Sequence, residues 1–228
     1  MIFEQLFDTK SSTYTYIVSS GKGREALIID PVIEHSDKYI RILENLELKL
    51  VKVIDTHIHA DHISGINELS KRTKCTKIMG EKSSSEVLDI HVKDNEKIKI
   101  EDIELTSIYT PGHTNCSYSF LLKDRVFTGD TLLINGTGRT DFQSGSPYDA
   151  YDSLFNKLLK LPENTIVYPA HDYNGKKFST IGIEKNNNPR LQVNSPDQYA
   201  EIMNNLNLAN PKMMDIAIPA NIKGATLD

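Results

Sequence analysis

Only two cysteines, Cys75 and Cys116, occur among 228 residues, too few for a disulfide framework. Neither has a second cysteine at metal-ligand spacing, so both are expected as small buried apolar side chains in a reducing compartment. No apolar stretch approaches the roughly 18 residues needed to cross a bilayer, and no membrane contact is expected. The opening MIFEQLFDTK lacks the basic and then apolar order of a secretory signal. A cytoplasmic location is expected, or the mitochondrial matrix if a targeting segment has been trimmed. Lys and Arg are dispersed without a basic stripe and the formal net charge is −5, which excludes general attraction to nucleic acid. Repeats and linkers are absent, and low complexity is limited to a short NNNP. One domain over 1–228 is therefore expected, with a helical and tail extension from about residue 176 lying on it.

What is present is an ordinary globular balance, 39% hydrophobic and 25% charged, on a chain long enough to bury roughly 70–75% of its unfolded surface. TYTYIV (13–18) alternates and is β-branched, and ALIID (26–30) is a short apolar run, with Gly-Lys-Gly between them as a hairpin turn. SDKYIRILENLEL has helical spacing through Tyr39, Ile42, Leu43 and Leu46. LVKVID and TKIMG read as strands around a helix in HISGINELSKRT. KIKIEDIELTSIYT supplies two strands about Glu101-Asp102, and YSFLL with RVFTGD a hairpin about Lys123-Asp124. SPYDAYDSLFNKLLKL opens with Ser146 as N-cap and Pro147 in the first turn, which predicts one helix. TIVYPAHDY is a strand entering a loop, followed by two helices, the second opened by Ser195-Pro196, and a Pro/Asn-rich tail. Strands in each half with helices between them predict an α/β sandwich of two mixed sheets flanked by helices.

The chemistry-bearing residues share one address, the loop just past a strand. THIHADHISG (56–65) puts His57, His59, Asp61 and His62 directly after LVKVID. His113 in PGH, Asp130 in TGD and His171 in PAH each follow a later strand. Loops at strand ends converge over a rigid scaffold. Clustered imidazoles repel one another when protonated and are useful when neutral and ligating. Neutral imidazoles with carboxylates suit zinc, iron, manganese or nickel. Seven such residues exceed the needs of one ion, and Asp130 has two oxygens with which to bridge a pair. His35 and His91 lie outside these motifs and are read as ordinary surface or capped residues.

As an ordered set, THIHADH, PGHT, GD and a late His after a strand resemble the metallo-β-lactamase superfamily. The resemblance implies an αβ/βα sandwich with its metal site at one edge. FTGDTLLINGTGRTDFQSGS (127–146), YPAHDYNG (168–175), NNPRL (187–191) and MNNLNLANPKMMDIAIPAN (203–221) resemble the persulfide dioxygenases, or sulfur dioxygenases, the ethylmalonic-encephalopathy-protein type. That resemblance covers nearly the whole chain. It implies one Fe(2+) per chain held by His57, His113 and Asp130, with zinc the alternative metal. It implies oxidation of glutathione persulfide by O2 and water to sulfite and glutathione. His59, Asp61, His62 and His171 would then stand behind the ligands or hold a second metal. Asn115-Cys116 departs from the Pro/Gly pair that many members carry after PGHT, which bears on loop shape.

Arg139 and Tyr173 are the candidates for holding glutathione. Their alternatives are a salt bridge to Asp141 and plain packing, respectively. Lys176, Lys177 and Arg190 are read as solvated surface. Ile202, Leu206, Leu208, Met213 and Met214 are expected to pack the C-terminal segment on the core, and the apolar tail leaves a homodimer open. The rival activity is a two-zinc, glyoxalase-II-like hydrolase of acylglutathione thioesters, with metal-bound hydroxide as nucleophile. Against it stand Ala60, giving HADH for HHDH, PAHDY for a GHEY-like motif, and the short run 172–228 after His171. A metal-bound scaffold without turnover is the reading from outside enzymology.

Overall fold

The structure, a computed structural model, describes residues 1–227. Strands β1 (Ile2–Asp8), β2 (Thr13–Ser19), β3 (Glu25–Ile29), β4 (Lys49–Ile54), β5 (Thr76–Gly80) and β6 (Ile90–Val92) form one sheet in that spatial order. β1, β2 and β3 pair antiparallel, whereas β3 through β6 run parallel, so the sheet is mixed. The second sheet takes β7 (Lys97–Ile100), β8 (Ile103–Tyr109), β9 (Tyr118–Leu122) and β10 (Arg125–Gly129) as an antiparallel meander. A short hairpin, β11 (Leu132–Leu133) and β12 (Gly136–Thr137), follows, before β13 (Ile166–Pro169) pairs parallel to β10 and β14 (Ser179–Thr180) closes the edge.

Period-two alternation explains the layering. In β2, Tyr14, Tyr16 and Val18 face the other sheet, where they meet Leu105, Phe120, Phe127 and Tyr168. Ile17 on the same strand faces the opposite way, with Ile28 and Val53, onto Tyr39 and Leu43 of α1 (Ser36–Asn45) and Leu69 of α2 (Ile66–Thr73). The outer face of the second sheet, with Val126 and Val167, is covered by α3 (Pro147–Asp152), α4 (Ile181–Asn187) and α5 (Pro196–Asn204) through Ala150, Ile181, Tyr199 and Met203, together with Leu154 just past α3. Burying an aliphatic side chain of this kind contributes about 1.5–3 kcal/mol. Helix, sheet, sheet, helix is the predicted sandwich. Among the described residues, no helix is long and apolar enough to cross a membrane.

Several elements depart from expectation. β1 has no clean alternation in IFEQLFD because it is a half-buried edge strand. The helix expected over SPYDAYDSLFNKLLKL has its predicted Ser146 cap on the Asp149 N–H, but after Asp152 it widens into a π turn and then a 3-10 turn. There the Ser153 hydroxyl donates to the Pro111 carbonyl at 2.6 Å, so the widened turn braces the loop that carries His113. The Pro/Asn-rich tail is not plain coil either, since α6 (Met214–Lys223) forms with Pro219 inside it. Met213 and Met214, expected to pack on the core, are only half-buried, whereas Met203 on α5 lies in the core. Leu208, expected to pack, is 46% exposed instead.

Candidate active site

The seven predicted residues converge at one edge of the sandwich. His57 to His62 follow β4, His113 follows β8, Asp130 follows β10 and His171 follows β13. One ligand atom each from His57, His113 and Asp130 lie within 4.8 Å of one another, and the same holds for His59, Asp61 and His62.

Hydrogen bonds settle which atoms face the first cluster. Asp30, ending β3 at φ 51°, accepts the Thr56 N–H at 2.7 Å on one oxygen and the Thr56 hydroxyl at 3.0 Å on the other. With its proton so used, the Thr56 oxygen accepts from His57 Nδ1–H at 2.9 Å, leaving a lone pair on Nε2. His113 Nδ1–H donates to the Arg139 carbonyl at 2.8 Å, again leaving Nε2 free. Asp130 Oδ1 accepts from His171 Nδ1–H at 2.6 Å, while Oδ2 faces His113 Nε2 at 3.6 Å. Two imidazole lone pairs and one carboxylate oxygen thus point at a common volume, each fixed from behind as metal ligands usually are. This donor set fits a single metal ion with open positions.

The second cluster is tied to itself. His171 Nε2–H and His62 Nδ1–H both donate to Asp61 Oδ2 at 2.9 Å. His59 Nε2–H donates to Asp30 at 3.1 Å. His59 Nδ1 and His62 Nε2 are buried without a partner, which leaves room for a ligand there as well.

Burial, reinforced by neighbouring imidazoles, holds the pKa values of His57 and His59 well below the ordinary histidine value, so both are neutral and able to ligate. Burial opposes ionisation of Asp130, yet the charge of the His171 imidazole and its hydrogen bond outweigh it and hold the carboxyl low. His171 is the converse. Burial lowers its pKa, but Asp130 and Asp61 on its two nitrogens drive it well above the usual value.

Two glycines permit the close approach. Gly112, at φ +138°, has Ala150 backbone 2.3 Å from where a Cβ would lie, so PGH requires glycine before the ligand. Gly138 abuts the Asp130 carbonyl and the His113 ring.

Above the ligands opens a cleft of about 310 Å³, walled by Phe142, Tyr173, Leu208, Arg139 and Arg190. An adjoining groove of about 760 Å³ shares Asp61, Arg139 and Tyr173 and adds Lys10, His35 and Lys212. Arg139 does make the salt bridge to Asp141, through two N–H donors at 2.6 Å each. It also donates to the Ala209 carbonyl at 2.6 Å and the Leu208 carbonyl at 3.2 Å, and lies over the Phe142 ring. Its role in the geometry is to hold the 208–209 strap across the mouth. Tyr173 is not packed away but 72% exposed, its ring parallel to that of His171. Arg190 corrects the expectation of a solvated cation. It lines the cleft, donates to the Thr137 carbonyl, and burial lowers its pKa. Lys176 and Lys177 are exposed as expected. His35 pairs with Asp8 at 2.9 Å and His91 lies on β6, both outside the clusters. Cys75 and Cys116 are free and buried.

Residues missed from the sequence are Asp30, Thr56, Gly138 and Arg190. Asp30 carried a usable signal, since it ends a strand as Asp130 does.

A two-sheet sandwich with such a cluster past its strand ends defines a class, and the Metallo-beta-lactamase superfamily model matches residues 8–171. Mouse "Persulfide dioxygenase ETHE1, mitochondrial" is 40% identical over 226 residues, covering 98% of this chain and 88% of the relative. The crystal structure of ETHE1 from Myxococcus xanthus superposes with a TM-score of 0.94 at 45% identity, covering 97% of this chain and 98% of that one. A Dictyostelium discoideum hydroxyacylglutathione hydrolase is 32% identical over 203 residues, covering 84% of this chain and 74% of the relative. The chain belongs to the metallo-β-lactamase superfamily and, within it, to the persulfide dioxygenases.

Proposed function

We propose that the protein is an iron-dependent dioxygenase of glutathione persulfide, with His57, His113 and Asp130 holding one Fe(2+). The observation that carries this reading is the orientation of His57 Nε2, His113 Nε2 and Asp130 Oδ2 into one volume, each set by a partner behind it. In the overall reaction the persulfide S–S bond breaks, the terminal sulfur is oxidised and dioxygen is reduced. Oxygen from O2 and water ends in sulfite, glutathione leaves as the thiol, and protons are released. Iron(II) bound there supplies the redox chemistry with dioxygen, which no side chain can provide.

The chain's own residues orient, neutralise and enclose. Asp30 and Thr56 hold His57 in its ligating tautomer, and the Arg139 carbonyl does the same for His113. His171 keeps one oxygen of Asp130 engaged, so that the other faces the ligand volume. Arg190, the remaining N–H of Arg139 and the Tyr173 hydroxyl ring the cleft and suit the carboxylates of glutathione. Phe142 and Leu208 supply its apolar walls and restrict water. His59, Asp61 and His62 act behind the ligands, and residues from about 176 onward complete one domain. Free, buried thiols fit a reducing compartment such as the cytoplasm or mitochondrial matrix.

The unpartnered His59 Nδ1 and His62 Nε2 favour one second reading, a two-metal thioester hydrolase. Anaerobic iron loading followed by oxygen-electrode assay with glutathione persulfide decides between them. Stoichiometric oxygen uptake and sulfite release at one iron per chain are expected. Two tightly held zinc ions, acylglutathione hydrolysis and indifference to persulfide would overturn the proposal.

A further inference from the structure

The loop bearing His57, His59 and His62 lies outside helix and sheet, so its buried backbone groups need partners elsewhere. Three of them converge on one side chain. Asn221 Nδ2 donates to the His59 carbonyl at 2.9 Å and the His62 carbonyl at 3.0 Å, and its Oδ1 accepts the Ser64 N–H at 2.8 Å. Both amide hydrogens and the amide oxygen are committed, and the pattern admits only one orientation of the amide. Asn221 is itself buried, on α6. That helix is also held by packing, with Ile218 and Ile222 against Met79, Cys116 and the loop's own Ile58, and by the Ile222 carbonyl accepting from Glu86 N–H at 2.9 Å. Asn221 lies well beyond residue 171, where the superfamily match ends. Its bonds go to backbone only, so the ring nitrogens of His59 and His62 stay free of it.

We propose that Asn221 is a positioning residue for the metal centre, clamping the His57–Ser64 loop before any ion arrives, so that ligands are met already placed. The proposal rests on the metal reading above. Asparagine suits the task because aspartate has the acceptor but not two donors, glutamine is a methylene too long, and serine offers one donor. Preorganisation of this kind raises affinity by removing the ordering cost from the binding step.

The test uses the full chain with Asn221→Ala and Asn221→Asp, beside Ile218→Ala, which trims the packing of α6 on Met79, Cys116 and Ile58 but leaves the three Asn221 hydrogen bonds in place. Amide exchange over 57–65 in the metal-free protein, Fe(2+) affinity by chelator competition, and kcat and KM for persulfide are measured. Asn221→Ala is expected to speed exchange at Ser64, weaken iron binding roughly 10–100-fold as loss of support behind a ligand does, and lower kcat more than KM rises. Asn221→Asp keeps the Ser64 bond but sets an acceptor against two carbonyl oxygens, and should lose at least as much as Asn221→Ala. Ile218→Ala should lower Tm with iron affinity retained. Unchanged exchange and affinity in Asn221→Ala would overturn the proposal, as would equal loss of iron in Ile218→Ala. If the parent holds iron but ignores persulfide, the dioxygenase reading fails, while the exchange and affinity measurements still decide the clamp.

Discussion

Replacing Gly138 by alanine tests the ligand geometry at its tightest point. The Gly138 N–H donates to the Asp130 carbonyl at 2.7 Å. A Cβ on this residue would lie 2.1 Å from that same oxygen and 2.9 Å from Cγ and Nδ1 of the His113 ring. Neither neighbour is a flexible end. One is the backbone of a ligand, and the other is a ring pinned through Nδ1–H to the Arg139 carbonyl. Relief requires a displacement of about 1 Å, against a tolerance of about 0.5 Å for a working constellation. Overpacking of this kind costs about 1–3 kcal/mol, and a misplacement of about 1 Å lowers turnover about 100-fold. Gly136→Ala is the matched control, since its Cβ would meet nothing closer than Leu133 Cβ at 4.0 Å. The assay is iron per chain after reconstitution, thermal melting and oxygen uptake with persulfide. Gly138→Ala should hold substoichiometric iron, melt several degrees lower and lose about two orders of magnitude in kcat/KM. Gly136→Ala should keep its iron and Tm. Parent-like iron and turnover in Gly138→Ala, or equal damage in Gly136→Ala, would refute the reasoning.

Asp130→Ala should abolish iron retention and turnover together, checked by metal analysis, and full loading would remove Asp130 from the ligand set. His62→Ala should lose activity but keep some iron, because His62 lies in the second cluster. Asp8 gives a pH-dependent stability difference. Burial raises its carboxyl pKa, but hydrogen bonds from Ser11 and His35 prevail and bring it from 3.8 down to about 2. A depressed carboxylate contributes stability above its unfolded pKa and loses it as pH falls through the folded one. Asp8→Asn should therefore unfold about 2 kcal/mol more easily at neutral pH. That gap should close as pH drops from 3.8 toward 2, and urea melts at several pH values would read it. A gap that persists at the acid end would assign the loss to packing.

The fold was legible where burial imposes a period. β8 alternates because one face is buried and the other open, β3 is an unbroken apolar run because it faces a core on both sides, and the β9–β10 and β7–β8 hairpins announce themselves through turn residues between their strands. The seven candidate site residues were legible as a group because histidine and aspartate gathered at strand ends are rare without a purpose, and the structure brings them to one edge. What holds them in place was not. Asp30 reaches Thr56 across 26 positions, and Asn221 reaches His59 across 162. Such contacts are written in the three-dimensional register of two elements, and neither partner's local sequence reports them. Arg190 was misread for a similar reason, since a cation on a 3-10 turn looks solvated until Thr137 and the cleft wall are folded over it. α6 was hidden by Pro219, which breaks the helical signal at one backbone bond while packing of Ala217, Ile218 and Ile222 secures the segment.

Charge explains why the second cluster is useful beside a single ion. Asp61 and Asp130 are held ionised, and His171, donating to both, is held protonated. His57 and His59 are held neutral. The floor of the metal-free cleft is thus negative overall and repels an anionic persulfide. A divalent ion held there would offset that charge. Each unit of charge at about 4 Å is worth about 4 kcal/mol at an effective dielectric near 20, enough to make anion binding depend on metal loading. Arg139 and Arg190 at the rim, and Lys10 and Lys212 in the adjoining groove, add attraction at longer range. Asp61 therefore acts on Asp130 through His171. It stabilises the His171 cation, which in turn holds one oxygen of Asp130 and leaves the other for the metal.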